Sequence, residues 1–276
     1  QEKLGNRQPP PATVTTIAAQ QHTWQPTLHA VGGLSAARGV DVSAERAGQL
    51  TALHFRSGAD VAEGELLASQ NTAPEEAELD RLQARRDLAE TQLGRMQQLA
   101  RKDQASDADV DEAHAEVEAL KAQIRHQRAL IAQKRIRAPF AGVIGIRQVD
   151  LGAQLSPGAP IATLQALSPL HVDFTLPQAN LRDVHTGQAV HFSVDAYPDT
   201  TFEAEVSAVE PRVSADTRNF AVQATYDNAD GRLRPGMYAE VDVQLPARRG
   251  VITVPQTAVS TSPYGSAVFV VQPPEK

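Results

Sequence analysis

Side chains suited to metal or nucleophilic chemistry are sparse in this 276-residue sequence. It has no cysteine, which excludes disulfides, thiolate zinc sites, iron–sulfur clusters and cysteine nucleophiles. Among its eight histidines, His185 and His191 lie six residues apart, and His22 and His29 lie seven apart. Neither spacing places two imidazole rings on one face at metal-binding distance, so we interpret them as surface histidines. Two methionines are too few for a soft copper or silver site. We therefore predict no metal site and no cofactor.

No arrangement of residues indicates an enzyme. The sequence contains no recognisable Ser-His-Asp set, phosphate-binding loop or pair of carboxylates placed in a pocket. The charged stretches at 216–218 and 232–234 are better interpreted as turn residues that fix local geometry or contact neighbouring protomers. A net charge of −7 argues against a general nucleic-acid binder.

The segment between Pro74 and Pro139 has the composition of long, charged helices. Its only glycine is Gly94, and residues 74–135 carry 13 acidic and 11 basic side chains. Apolar residues recur on a heptad in two halves, which predicts an antiparallel coiled-coil hairpin of about 26 residues per helix, roughly 40 Å long. A helical pair packed on a larger core is the alternative, but the apolar stripe is too narrow and the outer faces are too charged. The seam residues are Leu79, Leu82, Ala89, Leu93, Met96 and Ala100, then Val110, Ala113, Val117, Leu120, Ile124 and Ile131.

The turn of this hairpin is predicted at 102–106. Either Ser106 or Asp107 can cap the second helix, because the side-chain oxygen of such a residue accepts a hydrogen bond from a free backbone N–H of the first turn. Acidic residues follow at once, beginning with Asp109, where they favour the positive end of a helix.

A glycine-containing repeat flanks the hairpin on both sides. The first three glycines are matched 94 positions later by the second three, and apolar residues share this offset. Because glycine adopts positive φ at little cost, each copy is predicted to consist of short strands that turn at these glycines. Two copies predict a small sandwich of two interlocking halves. The six glycines are Gly48, Gly58, Gly64, Gly142, Gly152 and Gly158.

Beyond residue 171 the pattern changes to alternation of apolar and polar residues. Val190, Phe192 and Val194 face one way, for example, and similar alternation extends to residue 245. This predicts an antiparallel sheet or small barrel with one face in water. Residues 251–271 begin another β unit, which we expect strands from 13–31 to complete. A hydrophobic share of 41%, against about 45–50% in ordinary domains, suggests several thin modules in series.

The glycine repeat resembles the biotinyl/lipoyl carrier fold, in which two halves meet at a tight turn that bears the modified lysine. Here the hairpin replaces that turn after residue 71, and no lysine lies between Lys3 and Lys102. The attachment residue is therefore missing. A biotinyl or lipoyl carrier is the less favoured alternative, which a covalent cofactor in the intact mass would support.

A lipoyl-like domain that is split by a coiled-coil hairpin and followed by a β-barrel resembles the periplasmic adaptor subunits, or membrane fusion proteins, of tripartite efflux pumps. The resemblance runs from about residue 14 to 271 and is greatest to the branch that serves resistance–nodulation–division (RND) transporters. The segments that carry it are RAPFAGVI at 137–144, SPLHVDFTLP at 168–177, DAYP at 195–198, EPRVSADTR at 210–218, GRLRPGM at 231–237 and VPQTAV at 254–259.

This resemblance implies a structural adaptor that links an inner-membrane, proton-driven RND transporter to a TolC-type outer-membrane duct, for export of drugs or other small toxic compounds. It also implies a ring of six protomers and a periplasmic protein tethered to the inner membrane by a segment outside this sequence. Two alternatives stay open. Co-purification would identify an adaptor of an ABC-type exporter, and calorimetry would identify a metal-binding adaptor.

Family members that dock on TolC-type ducts have an arginine, a leucine four residues later and a serine seven residues after that. Arg95, Leu99 and Ser106 occupy these offsets. The resemblance thus implies that the hairpin tip docks on the duct, with Leu99 as an apolar knob and Arg95 as a multiple hydrogen-bond donor. Without the family, the same residues are a solvated charge, a last seam residue and a helix cap.

These patterns together predict a mixed α and β, elongated, multidomain chain with the hairpin innermost. No apolar run reaches the roughly 18–20 residues that span a bilayer. In the family's terms, the six repeat glycines are the turn glycines of the lipoyl motif. The predicted division is a flexible linker at 1–12, a partial membrane-proximal β domain at 13–31 and 248–276, a β-barrel domain at 32–44 and 169–247, a split lipoyl-like β-sandwich at 45–73 and 136–168, and an α-helical hairpin at 74–135.

Overall fold

The computed structural model describes residues 15–271, so the predicted linker at 1–12 lies outside the described residues. Two helices and a series of short strands follow one another along the chain. They are β1 (Gln20–Trp24), β2 (Thr27–Ala36), β3 (Gly39–Ser43), β4 (Gly48–Leu53), β5 (Asp60–Val61), β6 (Leu66–Gln70), α1 (Ala73–Ala100), α2 (Asp107–Gln133), β7 (Arg135–Arg137), β8 (Gly142–Ile144), β9 (Gln154–Leu155), β10 (Pro160–Gln165), β11 (Leu170–Pro177), β12 (Ala189–Ser193), β13 (Phe202–Val209), β14 (Asn219–Tyr226), β15 (Tyr238–Gln244), β16 (Arg248–Thr253), β17 (Val259–Ser262) and β18 (Gly265–Val268).

The alternating segment forms a closed barrel of six antiparallel strands, in the order β11-β14-β13-β12-β15-β2. The apolar residue of each alternating pair points inward, as Val190 and Phe192 show. Three aromatic rings pack together inside, with Phe192 at 5.3 Å from Phe202 and 5.4 Å from Tyr226 between ring centroids. The predicted barrel is therefore confirmed.

The strand that closes the barrel comes from far upstream. Strand β2 pairs with β11 on one side and with β15 on the other, and it is hydrogen-bonded along its whole length from Thr27. It therefore crosses the domain boundary predicted between residues 31 and 32. A Cβ at Gly32 would lie 2.5 Å from the Asp173 carbonyl oxygen, so this strand needs glycine where it meets β11.

Two four-stranded sheets, β3-β10-β8-β5 and β7-β6-β4-β9, form the sandwich that flanks the hairpin. Strands β4, β5 and β6 begin 94 residues before β8, β9 and β10, so the sequence repeat is also a structural repeat. The halves interlock, because β5 of the first half pairs with β8 of the second, and β9 of the second pairs with β4 of the first.

The repeat begins earlier than the glycines indicate. Val42 and Ile136 are both buried and are 94 residues apart, on strands β3 and β7. Beside them, the Ala44 N–H donates to the carbonyl oxygen of Ala159 at 3.0 Å, and the Ala138 N–H donates to that of Glu65 at 2.9 Å. Strand β3 thus belongs to the sandwich, whereas residues 32–44 are predicted to belong to the barrel.

Four of the six repeat glycines have the positive φ that favours glycine, between 77° and 86°: Gly58, Gly64, Gly152 and Gly158. The other two lie in strands, so the prediction of a turn was wrong for them. Gly48 begins β4 and Gly142 begins β8. At Gly142 glycine is required because another strand approaches closely. A Cβ at Gly142 would lie 2.5 Å from the carbonyl oxygen of Gln165 on the paired strand β10.

The helices α1 and α2 form the predicted two-helix hairpin, with Leu82, Ala89, Val117, Leu120 and Ile124 buried between them. At 1.5 Å per residue each helix is roughly 40 Å long. The hairpin leaves the sandwich after β6 and returns to it at β7.

The first strand, β1, forms a separate antiparallel pair with β16, which follows the barrel. Strands β17 and β18 pair with each other, and their residues are largely exposed. Within residues 15–271, no helix combines the length and apolar content needed to cross a membrane.

Candidate functional site

The side chains of the hairpin seam change in size from its middle to its tip. Midway, Leu120 and Val117 are almost fully buried. Toward the tip some seam positions are taken by smaller or flexible residues, such as Met96 and Ala113, which are only partly buried. Because these side chains do not fill the space between the helices, a groove opens on the tip half of the hairpin.

Both predicted docking residues of α1 line this groove. Arg95 and Leu99 are one helical turn apart and share the α1 wall with Met96. Leu99 is 37% exposed, which is high for a leucine on a seam that is buried elsewhere. Arg95 is exposed and has no ion-pair partner within 4 Å among residues 15–271. The guanidinium donors are thus available to a partner surface.

The tip loop ends α1 in a compact turn. The Gln104 N–H donates to the carbonyl oxygen of Leu99 at 2.9 Å, and the Asp103 N–H donates to that of Ala100 at 3.0 Å. Asp103 has a φ of 54°. These are the two hydrogen bonds and the left-handed residue of a Schellman motif, which satisfies the last carbonyl groups of a helix. The motif fixes the direction in which the chain leaves Leu99.

Of the two predicted caps, Ser106 and Asp107, it is Ser106 that caps α2. Its Oγ accepts from the Asp109 N–H at 3.2 Å, and the Asp109 carboxylate accepts from the Ser106 N–H at 2.9 Å and from the Ser106 hydroxyl at 2.7 Å. This reciprocal pair is a capping box. These hydrogen bonds from Ser106 lower the pKa of Asp109 below its ordinary value. Ser106 does not line the groove, and its structural role is to start α2.

The wall of the groove that α2 supplies is acidic. Asp109, Glu112 and Glu116 line it around Ala113. Glu116 lies 3.7 Å from Arg85 of α1, and Asp109 is held by Ser106. Glu112 has no ion pair within 4 Å in the described part of the chain.

A polar cluster, which we call the base cluster, joins the two helices where they meet the sandwich. It consists of Asn71, Glu75, Gln127 and Lys134. Lys134 Nζ lies 2.5 Å from Glu75 Oε1 and donates to the Asn71 carbonyl oxygen at 2.9 Å. Gln127 Nε2 donates to the Glu75 carbonyl oxygen at 2.9 Å. The hydrogen bond from Lys134 is the main cause that lowers the pKa of Glu75.

Sequence reasoning missed the base cluster, although the heptad contained a signal for it. Ala113 and Leu120 occupy alternate seam positions, and the same spacing of seven leads to Gln127 and Lys134. Both are only 8% exposed. Polar side chains at seam positions require buried partners, so the continued heptad predicts a polar anchor at the base.

The histidines do not assemble into a metal site in the described residues. Among residues 15–271, no group of three or more His, Asp or Glu side chains is arranged to hold a metal ion. His29 instead lies 3.1 Å from Asp242 across β2 and β15, on the outside of the barrel. His191 is hydrogen-bonded to Gln244.

Comparison with known proteins gives two adjoining family matches. Residues 38–165 match the model of the RND membrane fusion protein barrel-sandwich hybrid domain, and residues 169–247 match that of the CusB-like β-barrel domain. A Haemophilus influenzae protein is 31% identical over 94% of this chain and 68% of its own length. The multidrug resistance protein MdtA of Proteus mirabilis is 27% identical over 99% of this chain and 72% of its own length.

Solved structures show the same fold. A chimera of MacA and MexA that contains the α-hairpin domain of Pseudomonas aeruginosa MexA superimposes with a TM-score of 0.78 at 24% identity, covering 92% of this chain and 94% of the chimera. The fold and the two domain matches agree. The chain belongs to the membrane fusion protein family and is a periplasmic adaptor of RND-type efflux systems.

Proposed function

We propose that this adaptor links an inner-membrane RND transporter to a TolC-type outer-membrane duct, with the hairpin tip as the docking surface. The observation that carries the proposal is the position of Arg95 and Leu99 on one groove at the end of a helical arm. Leu99 offers apolar surface, and Arg95 offers several N–H donors with no competing ion pair among residues 15–271.

The rest of the molecule fits a scaffold and not an enzyme. In the proposed assembly, six protomers stack their sandwich and barrel domains into a ring, while the barrel and the terminal β strands contact the transporter. Six modest tip contacts made at once bind far more tightly than one, because each further contact is intramolecular. The ring, a tether to the inner membrane and export of drugs or other small toxic compounds are parts of this proposal.

The transporter class is proposed on the RND description of the matched barrel-sandwich family. An ABC-type exporter as the partner is the competing assignment. Affinity purification of the tagged adaptor from its own cells distinguishes them, because we expect an RND transporter among the recovered proteins. Recovery of an ABC exporter without any RND transporter would contradict the assignment.

Charge insertion at Leu99 tests the docking surface. We expect Leu99→Asp to abolish drug efflux and recovery of the duct with the tagged adaptor. The exposed leucine of the same helix, Leu88, is 59% exposed and does not line the groove, so Leu88→Asp is the matched control. Circular dichroism of both variants should show unchanged helix content, because neither leucine belongs to the buried seam. Equal efflux in the two variants would refute docking at the tip.

Ser106 is a poor position for the same test. Its substitution removes the capping box as well as any contact with a partner, and the loss of such a cap costs about 1 kcal/mol. An effect of Ser106→Arg on efflux would therefore not separate docking from fraying of α2. Leu99 has no such double role.

A further inference from the structure

The tip of the hairpin carries an unbalanced charge. Between residues 92 and 119 the sequence has seven carboxylates and three cationic side chains. Three of those carboxylates stand on the α2 wall of the groove, and Arg95 is the cation on the α1 wall. A second copy of this hairpin would bring the same excess negative charge to the groove and would be repelled.

The carboxylates of this wall differ in their availability. Asp109 is engaged with the cap of α2, and Glu116 is beside Arg85. Neither Asp109 nor Glu112 has a cation within 4 Å among the described residues, and of these two Glu112 is the one that the helix cap does not hold. It stands one residue before Ala113, whose small side chain leaves the floor of the groove open. An apolar floor beside an unbalanced carboxylate is complementary to a small apolar side chain that is followed by a cation.

We propose that the groove binds a basic segment of the outer-membrane duct, in which a small apolar side chain enters between Met96 and Ala113 and a lysine or arginine pairs with Glu112. This inference rests on the docking proposed above and adds the chemistry of the partner. Steering by opposite charges also raises the rate of encounter, and salt weakens it. Binding through Glu112 is therefore salt-dependent in a way that binding through Leu99 is not.

The test measures binding of the full-length adaptor to the purified TolC-type duct of the same organism, held in detergent, by biolayer interferometry. The variant is Glu112→Lys. Its matched control is Asp111→Lys, which makes the same charge change one residue earlier on the same turn of α2 but off the groove. We expect Glu112→Lys to weaken binding at least fivefold at low salt, with a smaller difference at high salt, and Asp111→Lys to stay within twofold of the original.

Leu99→Asp in the same assay separates this inference from the docking proposal. If Leu99→Asp weakens binding while the Glu112 and Asp111 variants behave alike, the tip docks and the basic partner segment is refuted. If Leu99→Asp binds as the original does, docking at the tip fails and this inference fails with it. If the difference in binding between Glu112→Lys and Asp111→Lys does not change with salt, the basic partner segment is also refuted, because salt must screen an ion pair in an exposed groove.

Discussion

Replacing Lys134 by methionine is expected to loosen the junction between the hairpin and the sandwich. The lysine makes two hydrogen bonds there, to Glu75 Oε1 and to the Asn71 carbonyl oxygen, and its side chain is only 10% exposed. Methionine has a similar length and no donor. Its introduction therefore leaves both acceptors without their partner, while the packing volume is largely kept.

The expected cost follows from how deeply the pair is buried. Breaking a fully buried ion pair costs about 3–5 kcal/mol, because one charge is left uncompensated. The Glu75 side chain is 23% exposed, so water can reach part of its carboxylate after the change. We therefore expect Lys134→Met to lower the stability of the junction by about 2–3 kcal/mol, which is in the range of a lost hydrogen bond to a charged group.

Native-state hydrogen exchange measures the loss of stability at the junction itself. A single unfolding midpoint is less suitable for a chain of several domains. At about 1.4 kcal/mol per tenfold, protection of the amides at the base should fall roughly 30- to 150-fold. Two of the amides at the base are those of Gln70 and Glu76. The Gln70 N–H donates to the Lys134 carbonyl oxygen, and the Glu76 N–H donates to the Thr72 carbonyl oxygen. The protection of amides in the barrel should be unchanged.

The matched control is Lys121→Met on α2, the helix that Lys134 caps. Lys121 lies 3.0 Å from Glu118, but both side chains are at least 41% exposed, and such surface pairs contribute little. A change of less than about threefold at the base in Lys134→Met, or an equal change in both variants, would refute the assignment of the base cluster as an anchor.

The same cluster predicts the direction of a pH effect. Because the Lys134 hydrogen bond lowers the folded-state pKa of Glu75 below its ordinary value of 4.5, the charged pair stabilises the junction above that pH. The contribution is lost as pH falls below 4.5 through the lowered pKa. Protection at the base should thus decrease with acid in the original protein and change less in Lys134→Met.

Two further predictions concern single backbone positions. Asp103 has a φ of 54°, where alanine is strained, so Asp103→Gly should leave the hairpin about 1 kcal/mol more stable than Asp103→Ala. Thermal unfolding followed by the helical circular dichroism signal measures this difference. Equal midpoints for the two variants would contradict the prediction. Gly142→Ala should destabilise by about 1–3 kcal/mol, since its Cβ would meet the Gln165 carbonyl oxygen at 2.5 Å. Gly94→Ala, in open space inside α1, should instead stabilise by about 0.5–1 kcal/mol, so the two alanine variants should differ in sign.

The parts of the fold that the sequence predicted are those with a regular period. The heptad of the hairpin and the alternation in the barrel are local patterns, and the sandwich is a repeat at a constant offset of 94 residues. The domain division stays a prediction, and strand pairing moves two of its boundaries. Strand β2 closes the barrel by pairing with strands more than 130 residues away in sequence, as Gly33 with Asp173 shows. No local pattern identifies such a partner.

The docking role of Arg95, Leu99 and Ser106 stays a prediction from the family resemblance, but their surroundings could not be predicted. The groove depends on side-chain volume, since Met96 and Ala113 hold seam positions without filling the seam. The acidic wall depends on which residues of α2 face α1. A heptad pattern predicts which residues lie on the seam, but it does not predict how deep a groove their side chains leave open.

The two ends of the seam have opposite requirements, which explains why one set of heptad positions carries such different residues. From tip to base, the positions 113, 120, 127 and 134 are Ala, Leu, Gln and Lys. Apolar residues at all four would give the seam itself little packing preference against a slide by one heptad. Such a slide moves Lys134 about 10 Å along the helix axis, beyond reach of Glu75. The base cluster therefore reinforces the register that the short tip turn and the pairing of β6 with β7 already impose, and that register places Leu99 and Glu112 on the same groove.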